Sequence, residues 1–429
     1  MGQRKHNNNY DVIVVGAGAA GLIAAGRAAH LGARVLLVEK MQQAGRKLLI
    51  TGKGRCNITN DSTLSIYYKN IFPNGRFLKH AFNAFFIKDI LNILHEKGVK
   101  TTTERGNRVF PASNKAIDVY KALMEWMGND NIDIIYQTRV IKLLFQDGSV
   151  TGIRTLSDNK SLEYKGKSVI ICTGGKSYPA TGSTGDGYEL ARQGGHTISE
   201  VRPALVPLVT RGSTAGKLQG LGLKNINASV WVNGKKSSSE FGELMFAHYG
   251  LTGPTVLTLS RHVVEELSKG HKVEISVDLK PALDEKKLDA RLLRDLDMHG
   301  KKLAENIFKL WLPSKLIPVF LELLNIDGKQ LCHQLSAKER RGLMLLMKDF
   351  RFEVTGHPGF REAIITAGGI STDFINSKTM ESSLVRNLYF AGEVIDLDAT
   401  TGGFNLQIAF STGWLAAQAS VSNIMNPPA

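Results

Sequence analysis

Apolar positions along the chain fall into three patterns. Nearly unbroken apolar runs, Tyr10 to Val15, Ala33 to Val38, Val169 to Cys172 and Leu388 to Ala391, suit strands covered on both faces of a parallel sheet. Helical stripes appear over residues 76 to 97, where Phe77, Ala81, Phe85, Ile90, Leu91 and Leu94 share a face, over Ala116 to Met127, and from Phe404 to about Ile424. Short strand-like pieces make up the third pattern. Thr138 to Phe145, Val150 to Leu156 and Ser161 to Tyr164 read as a meander separated by Asp147-Gly148 and Asp158-Asn159 turns. From about Gly195 come Ala204 to Val209, Asn227 to Val232 and Lys272 to Val277, and residues 284 to 347 are then helical in period and rich in Leu, Lys and Arg.

The first run carries the first chemistry. It ends in Gly16-Ala17-Gly18-Ala19-Ala20-Gly21, so a strand, a glycine turn and a helix follow one another, and the next strand closes on Glu39 about 20 residues beyond the glycines. Gly16 allows a tight turn, Gly18 lets backbone approach phosphate, and Gly21 lets helix pack on strand, which leaves the amides of Ala19 and Ala20 facing a pyrophosphate. With 43 glycines a lone spacing match means little, and it is the whole ordered unit that specifies a dinucleotide site. A carboxylate at the ribose 2′-hydroxyl repels a 2′-phosphate, so Glu39 selects FAD or NAD over NADP.

The segment after Glu39 begins with Lys40 and continues Gly45-Arg46-Lys47-Leu48-Leu49-Ile50-Thr51-Gly52-Lys53-Gly54-Arg55-Cys56-Asn57-Ile58-Thr59-Asn60. Basic residues among glycines can hold a diphosphate and a flavin edge, the alternative being a merely solvated loop. Following a GAGAAG turn and a terminal glutamate, this segment resembles the signature of the BaiN/YhiN-type flavoproteins, a family that includes aminoacetone oxidase and a ribosomal RNA dihydrouridine synthase. Val109-Phe110-Pro111 and the stretch Gly242 to Pro254, similar to the family's G-E-L-x-F-x-x-x-G-L-[ST]-G-P element, extend the likeness over nearly the whole chain.

The resemblance implies FAD and a Rossmann-type FAD-binding domain of the glutathione-reductase kind, an α/β fold. We expect that domain over 1–195 and 356–429, an inserted small β-barrel over 196–280 and 348–355, and a helical subdomain over 281–347. It also implies further cofactor contacts: Lys40, Arg46, Lys47, Cys56 and Asn57 from the loop, and the backbone of Val140 at the adenine. Thr173 and Gly174 end a buried strand in small residues that allow close approach to the nucleotide. Gly392 and Glu393 stand where many FAD enzymes place a glycine and a ribityl-binding acid, and Gly403, Phe404 and Asn405 begin a helix whose dipole can stabilise charge on reduced flavin. One departure is Ala399-Thr400-Thr401, where relatives often have Gly-x-Thr. The Gly182 to Gly187 stretch follows no strand directly and reads as a helix-entry loop.

Composition narrows the function. At 429 residues, 43% hydrophobic and 22% charged, the chain has room for two or three globular domains. No run of about 18 apolar residues exists, so no membrane span is expected. Arg4 and Lys5 ahead of an apolar run imitate a signal peptide, but the nucleotide motif already accounts for that run, and Met1-Gly2 followed by His6 lacks the Ser or Thr of a myristoylation signal. Cys56, Cys172 and Cys332 fit no disulfide, CxxC or zinc spacing, which points to a cytoplasmic protein without a metal site, outside the disulfide-reductase branch. There, sequons at Asn57, Asn60 and Asn227 carry no weight.

Lys and Arg number 54 against 39 Asp and Glu, a net charge of +15, and residues 201–350 hold 23 against 16. An anionic partner such as nucleic acid fits this excess, although many housekeeping proteins are basic. With a single nucleotide unit, any NAD(P)H must visit an open flavin face as a transient donor. The family resemblance together with this charge implies, as the favoured expectation, hydride transfer through flavin N5 to a uridine of ribosomal RNA, giving dihydrouridine, with RNA presented by Lys286, Lys287, Arg291, Lys301, Lys302, Arg340 and Arg341. The alternatives are an NAD(P)H- or O2-linked oxidoreductase acting on a small amine or enone, and a flavin-binding protein without turnover. For the acid that protonates uracil C5, Cys56 is the candidate, since Lys53 and Arg55 nearby favour a thiolate as conjugate base, the alternative being that Cys56 only packs on the cofactor. His248 and Tyr249 are weaker candidates. No oligomeric state is specified.

Overall fold

The computed structural model describes residues 8–128 and 130–426. Arg4, Lys5 and His6, on which the targeting reading turns, lie outside the described residues. Two compact units emerge: residues 1–203 with 364–429, and residues 204–363.

The first unit is built on a seven-stranded sheet. Its elements, in chain order, are β1 (Asn9–Val15), α1 (Ala19–His30), β2 (Val35–Val38), β3 (Ile132–Ile135), β4 (Arg139–Gln146), β5 (Ser149–Ser157), β6 (Lys160–Ile171), α2 (Asp186–Gln193), β7 (Leu388–Phe390) and α3 (Phe404–Met425). The sheet order is β3-β2-β1-β6-β5-β4, with β7 also on β6. Val15 lies opposite both Val38 and Ile171, so the residues that follow each strand gather at one carboxyl edge, where open α/β sheets bind ligands. The apolar runs are buried throughout, as β1 and β2 require between helices on both faces: Val12, Ile13, Val14, Leu36 and Leu37 are fully covered.

One expectation changes here. Ser161–Tyr164 and Val169–Cys172 are not two strands but one, β6, whose first half pairs antiparallel with β5 and whose second half pairs parallel with β1 and β7. The polar interval Lys165-Gly166-Lys167 contains no proline, so the ladder runs through it.

The second unit holds a closed six-stranded barrel, formed by Leu208–Thr210, Gly250–Thr252, Lys235–Ala247, Gly222–Val232, Val273–Asp278 and Phe350–Gly356 in that order. The expected strand Ala204 to Val209 divides at Leu205, whose φ of +51° breaks extension before Pro207. Helices Glu285–Met298, Leu316–Leu324 and Ala337–Lys348 do not make a separate subdomain. Leu288, Leu292, Phe320, Met344 and Met347 share one apolar core with Val273, Ile275, Phe350 and Phe352, so two units replace the three parts expected. The unit boundaries also lie later than 195/196 and 355/356: Ser199 N donates to Gly369 O at 2.8 Å, which keeps residues 196–203 with the first unit. Among the described residues no helix is long and apolar enough to cross a membrane.

Candidate functional site

The glycine turn divides its three glycines by what surrounds them. A Cβ on Gly16, at φ +98°, would stand 2.7 Å from the Cys172 carbonyl, and one on Gly21 would fall 1.8 Å from the Gly16 carbonyl. Gly16 and Gly21 are thus required by the protein itself. A Cβ on Gly18 meets nothing within 4 Å, so the glycine there keeps open space at the start of α1. No side chain caps α1 and no acid sits in its first turn, which leaves its leading amides and positive dipole end facing that space. This cradle fits the pyrophosphate of FAD.

Glu39 is held from both sides: Oε2 accepts from Ala17 N and Oε1 from Met41 N, each at 2.8 Å. Each carboxylate oxygen keeps acceptor capacity for a ribose hydroxyl. The Lys40 ammonium pairs with Asp186 at 2.7 Å and also donates to Thr184, while Arg139 holds the other Asp186 oxygen at 3.0 Å. Burial would raise the Asp186 carboxyl, but Lys40 and Arg139 hold it below its ordinary range. Lys40 thus secures the helix-entry loop through its side chain. Val140 is buried in β4 opposite Thr155.

A second polar group lies at the end of β7. Lys47 Nζ meets Glu393 Oε2 and Ser177 Oγ, both at 2.6 Å, and Glu393 Oε1 accepts from Ser177 Oγ at 2.8 Å and Thr366 N at 2.9 Å. Thr366 Oγ1 accepts in turn from the amides of Lys176 and Ser177. A Cβ on Gly175 would sit 2.4 Å from Thr366 Oγ1, so Gly175 is what lets this group close. Behind it the buried Tyr188 hydroxyl has no hydrogen-bond partner among the described residues, and burial together with Glu393 and Asp396 pushes its phenol up. Thr173 and Gly174 follow β6 beside Gly16, and Gly392 at φ +78° brings the end of β7 against Ala20. The Arg46 side chain forms no hydrogen bond or ion pair among the described residues. Sequence reasoning missed Ser177 and Thr366, whose only signal was their proximity to glycine-rich strand ends.

The loop reading of Asn57 and Cys56 needs correction. Cys56 is fully buried at φ +60°, and burial pushes its thiol up to about 12 against a hydrogen bond from Thr51. Arg55 gives it no charge, because its guanidinium pairs with Glu104, donates to Asn114 at 2.7 Å and lies 4.1 Å over the Phe110 ring. A thiolate acid–base role for Cys56 therefore has no electrostatic support. Asn57, oriented to satisfy its neighbours, accepts from Gly403 N at 3.0 Å and donates to the Thr59 and Val109 carbonyls. Asn60 Nδ2 donates to Gly402 O at 2.9 Å and to Gly106 O at 3.0 Å. The two asparagines of Cys-Asn-Ile-Thr-Asn thus clamp the Gly402-Gly403 pair that leads into α3.

Gly403, at φ +102°, has no room for a Cβ against Thr59. Phe404 packs edge-on to Tyr67 at 4.8 Å, and Asn405 exchanges hydrogen bonds with both backbone groups of Ala399 at 2.9 Å, folding the loop in which Ala399-Thr400-Thr401 occurs. What this segment offers a ligand is the uncapped N-terminus of α3.

In the second unit, Tyr249 donates its hydroxyl to Glu362 at 2.6 Å, and burial and Glu362 push the phenol up; the His248 ring stands edge-on to it at 4.7 Å. Of the basic residues expected to meet RNA, Arg340 makes a two-pronged pair with Asp289 at 2.9 and 3.3 Å, Lys287 lies 3.5 Å from Asp284 and Arg291 3.7 Å from Asp295. Lys286, Lys301, Lys302 and Arg341 are exposed.

Comparison with known proteins places these features in context. Residues 10–419 match the model of the HI0933-like protein Rossmann domain. A 3-dehydro-bile acid delta(4,6)-reductase of Clostridium scindens is 30% identical over 95% of this chain and 98% of its own length. A ribosomal RNA dihydrouridine synthase of Escherichia coli K12 is also 30% identical, over 95% and 97%. Among solved structures, a quinol-fumarate reductase with menaquinol molecules matches 98% of this chain and 72% of its own at a TM-score of 0.51 and 16% identity, a likeness of fold.

Proposed function

Because this chain belongs to the HI0933-like family, of which the relatives above are FAD-dependent oxidoreductases, we propose that it reduces a carbon–carbon double bond conjugated to a carbonyl, in a uridine of ribosomal RNA. Both named relatives act on that bond type, one in a steroid dienone and one in uracil. At equal identity they do not choose between the two, and the observation that favours RNA is the net charge of +15, which counterion release turns into salt-dependent binding.

Bound FAD supplies hydride chemistry at N5. Gly18 and the leading amides of α1, in the turn that Gly16 and Gly21 shape, would hold its pyrophosphate, Glu39 a ribose hydroxyl, and Glu393, fixed by Lys47, Ser177 and Thr366, a ribityl hydroxyl. The α3 N-terminus, aimed by Asn57 and Asn60, places positive potential where negative charge collects. Reduction of the base balances as hydride to C6 and a proton to C5, with NAD(P)H oxidised as donor, and the uridine must leave its stack to react. Three free, buried cysteines support a reducing, cytoplasmic setting.

The test maps dihydrouridine in ribosomal RNA from cells with and without the gene. Loss of one modified position, restored by the wild-type gene, supports the reading. An unchanged map overturns it and leaves a small enone as substrate, the reading that the bile-acid relative favours, which NAD(P)H-dependent turnover of steroid enones checks directly.

A further inference from the structure

The proposal above leaves open which surface takes the RNA backbone. The nucleotide whose base reacts carries its own phosphates, so RNA phosphates come close to the protein surface around the cofactor when the base reaches it. The first unit contains such a surface. Strands Thr101–Glu104 and Arg108–Pro111 form a hairpin with Arg105 exposed at its tip. Asn60, the residue that clamps Gly402 ahead of α3, donates with the same amide nitrogen to Gly106 in that tip. One side chain thus separates the hairpin from the helix end assigned to the cofactor.

The hairpin is basic by construction. Arg55 and Arg108 stand over the same Phe110 ring, at 4.1 and 5.9 Å, and Arg108 Nε donates to the Arg105 carbonyl at 3.0 Å. Asn114, which accepts from Arg55, brings Lys115 to the same edge. Glu104 is taken up by Arg55, the amide of Asp61 bonds to the Asn107 carbonyl in the tip, and the amide of Asp118 bonds to the Lys115 carbonyl at 3.2 Å, with neither carboxylate paired to Arg105 or Lys115 among the described residues. Arg105 and Lys115 are exposed and have no acidic partner among the described residues. The Arg108 guanidinium, stiffened by its carbonyl contact and its place over the Phe110 ring, adds fixed positive charge beside these two free cations.

We propose that this hairpin edge, with Arg105 and Lys115 as its free cations, contacts the RNA phosphates next to the uridine being reduced. The inference rests on the RNA reading above. An RNA phosphate is its ligand.

The experiment uses the full-length FAD-bound protein and protein-free ribosomal RNA from the deletion strain, with affinity measured across a KCl series. Wild type gives a linear fall of log affinity with log salt. Arg105→Gln with Lys115→Gln lowers that slope by about 1.4 to 1.8, since each lost phosphate contact removes ~0.7 to 0.9. Arg105→Lys combined with Lys115→Gln restores the share of the slope lost at position 105. FAD absorbance and melting temperature stay at wild-type values in each variant, because both side chains are exposed. If wild type binds with a salt slope and modifies the RNA while the double variant keeps the full slope, the hairpin proposal falls and the RNA reading stands. If wild type has no salt-dependent affinity for the RNA and the dihydrouridine map is unchanged on deletion, both fall.

Discussion

Single residues in the nucleotide turn divide into those the fold needs and those the ligand needs. Gly21 sits against the Gly16 carbonyl with no room for a methyl group, whereas Gly18 faces open space. Gly18→Leu is therefore expected to fold with a wild-type melting temperature and to come off the column colourless, while Gly21→Val loses the fold; circular dichroism and flavin absorbance separate the two outcomes. The spacing of these glycines was legible because the requirement is local, set within six residues of backbone. Cys56 was not, because its behaviour depends on what covers it: the thiol is buried and un-ionised, and Arg55 is drawn away to Glu104. Cys56→Ala is expected to keep most turnover, losing at most a few-fold through packing, and the native thiol should resist iodoacetamide until the protein is unfolded. A large loss of kcat in a well-folded Cys56→Ala would restore the acid role.

At the level of elements, the apolar runs and stripes identified the strands and helices, and what they missed is where separate pieces join. β6 looked like two strands because its partners change midway, a fact set by β1 and β5 rather than by β6. The clamp on α3 was hidden for the same reason: Asn60 lies 342 positions from Gly402. Asn60→Ala leaves two carbonyls without their donor, at a cost of about 1–3 kcal/mol. We expect a lower melting temperature and FAD affinity weakened roughly 10-fold or more in fluorescence titration, and unchanged FAD affinity would remove the clamp from the site. The strand β7 carries a pH dependence of its own. His196 is buried edge-on to Phe390, with Nε2 on Ser382 Oγ at 2.8 Å, and burial lowers its pKa from 6.5 to about 4. The native state thus binds fewer protons than the unfolded state. Its stabilisation is complete above pH 6.5 and is lost as pH falls toward 4, so melting temperature should drop across that window, and less steeply in His196→Gln.

For the whole molecule, the sequence supplied a net charge but not its distribution among partners, since pairing depends on the tertiary fold. A count of +15 treats Arg340 and Lys301 alike. In the structure Arg340 is 21% exposed and locked to Asp289, whereas Lys301 and Lys302 are exposed and without an acidic partner among the described residues. Only a cation with no carboxylate to leave can release phosphate counterions without cost. Arg340→Gln is accordingly expected to lower stability by up to about 1 kcal/mol and to leave the salt slope of RNA binding unchanged. The double variant Lys301→Gln, Lys302→Gln should do the reverse, keeping the melting temperature and lowering the slope by about 1.4 to 1.8 if both lysines meet phosphate. Should Arg340→Gln reduce the slope as much as that pair does, ion pairing within the fold would not be what selects the RNA-binding cations. The total charge would then be the better guide to this surface.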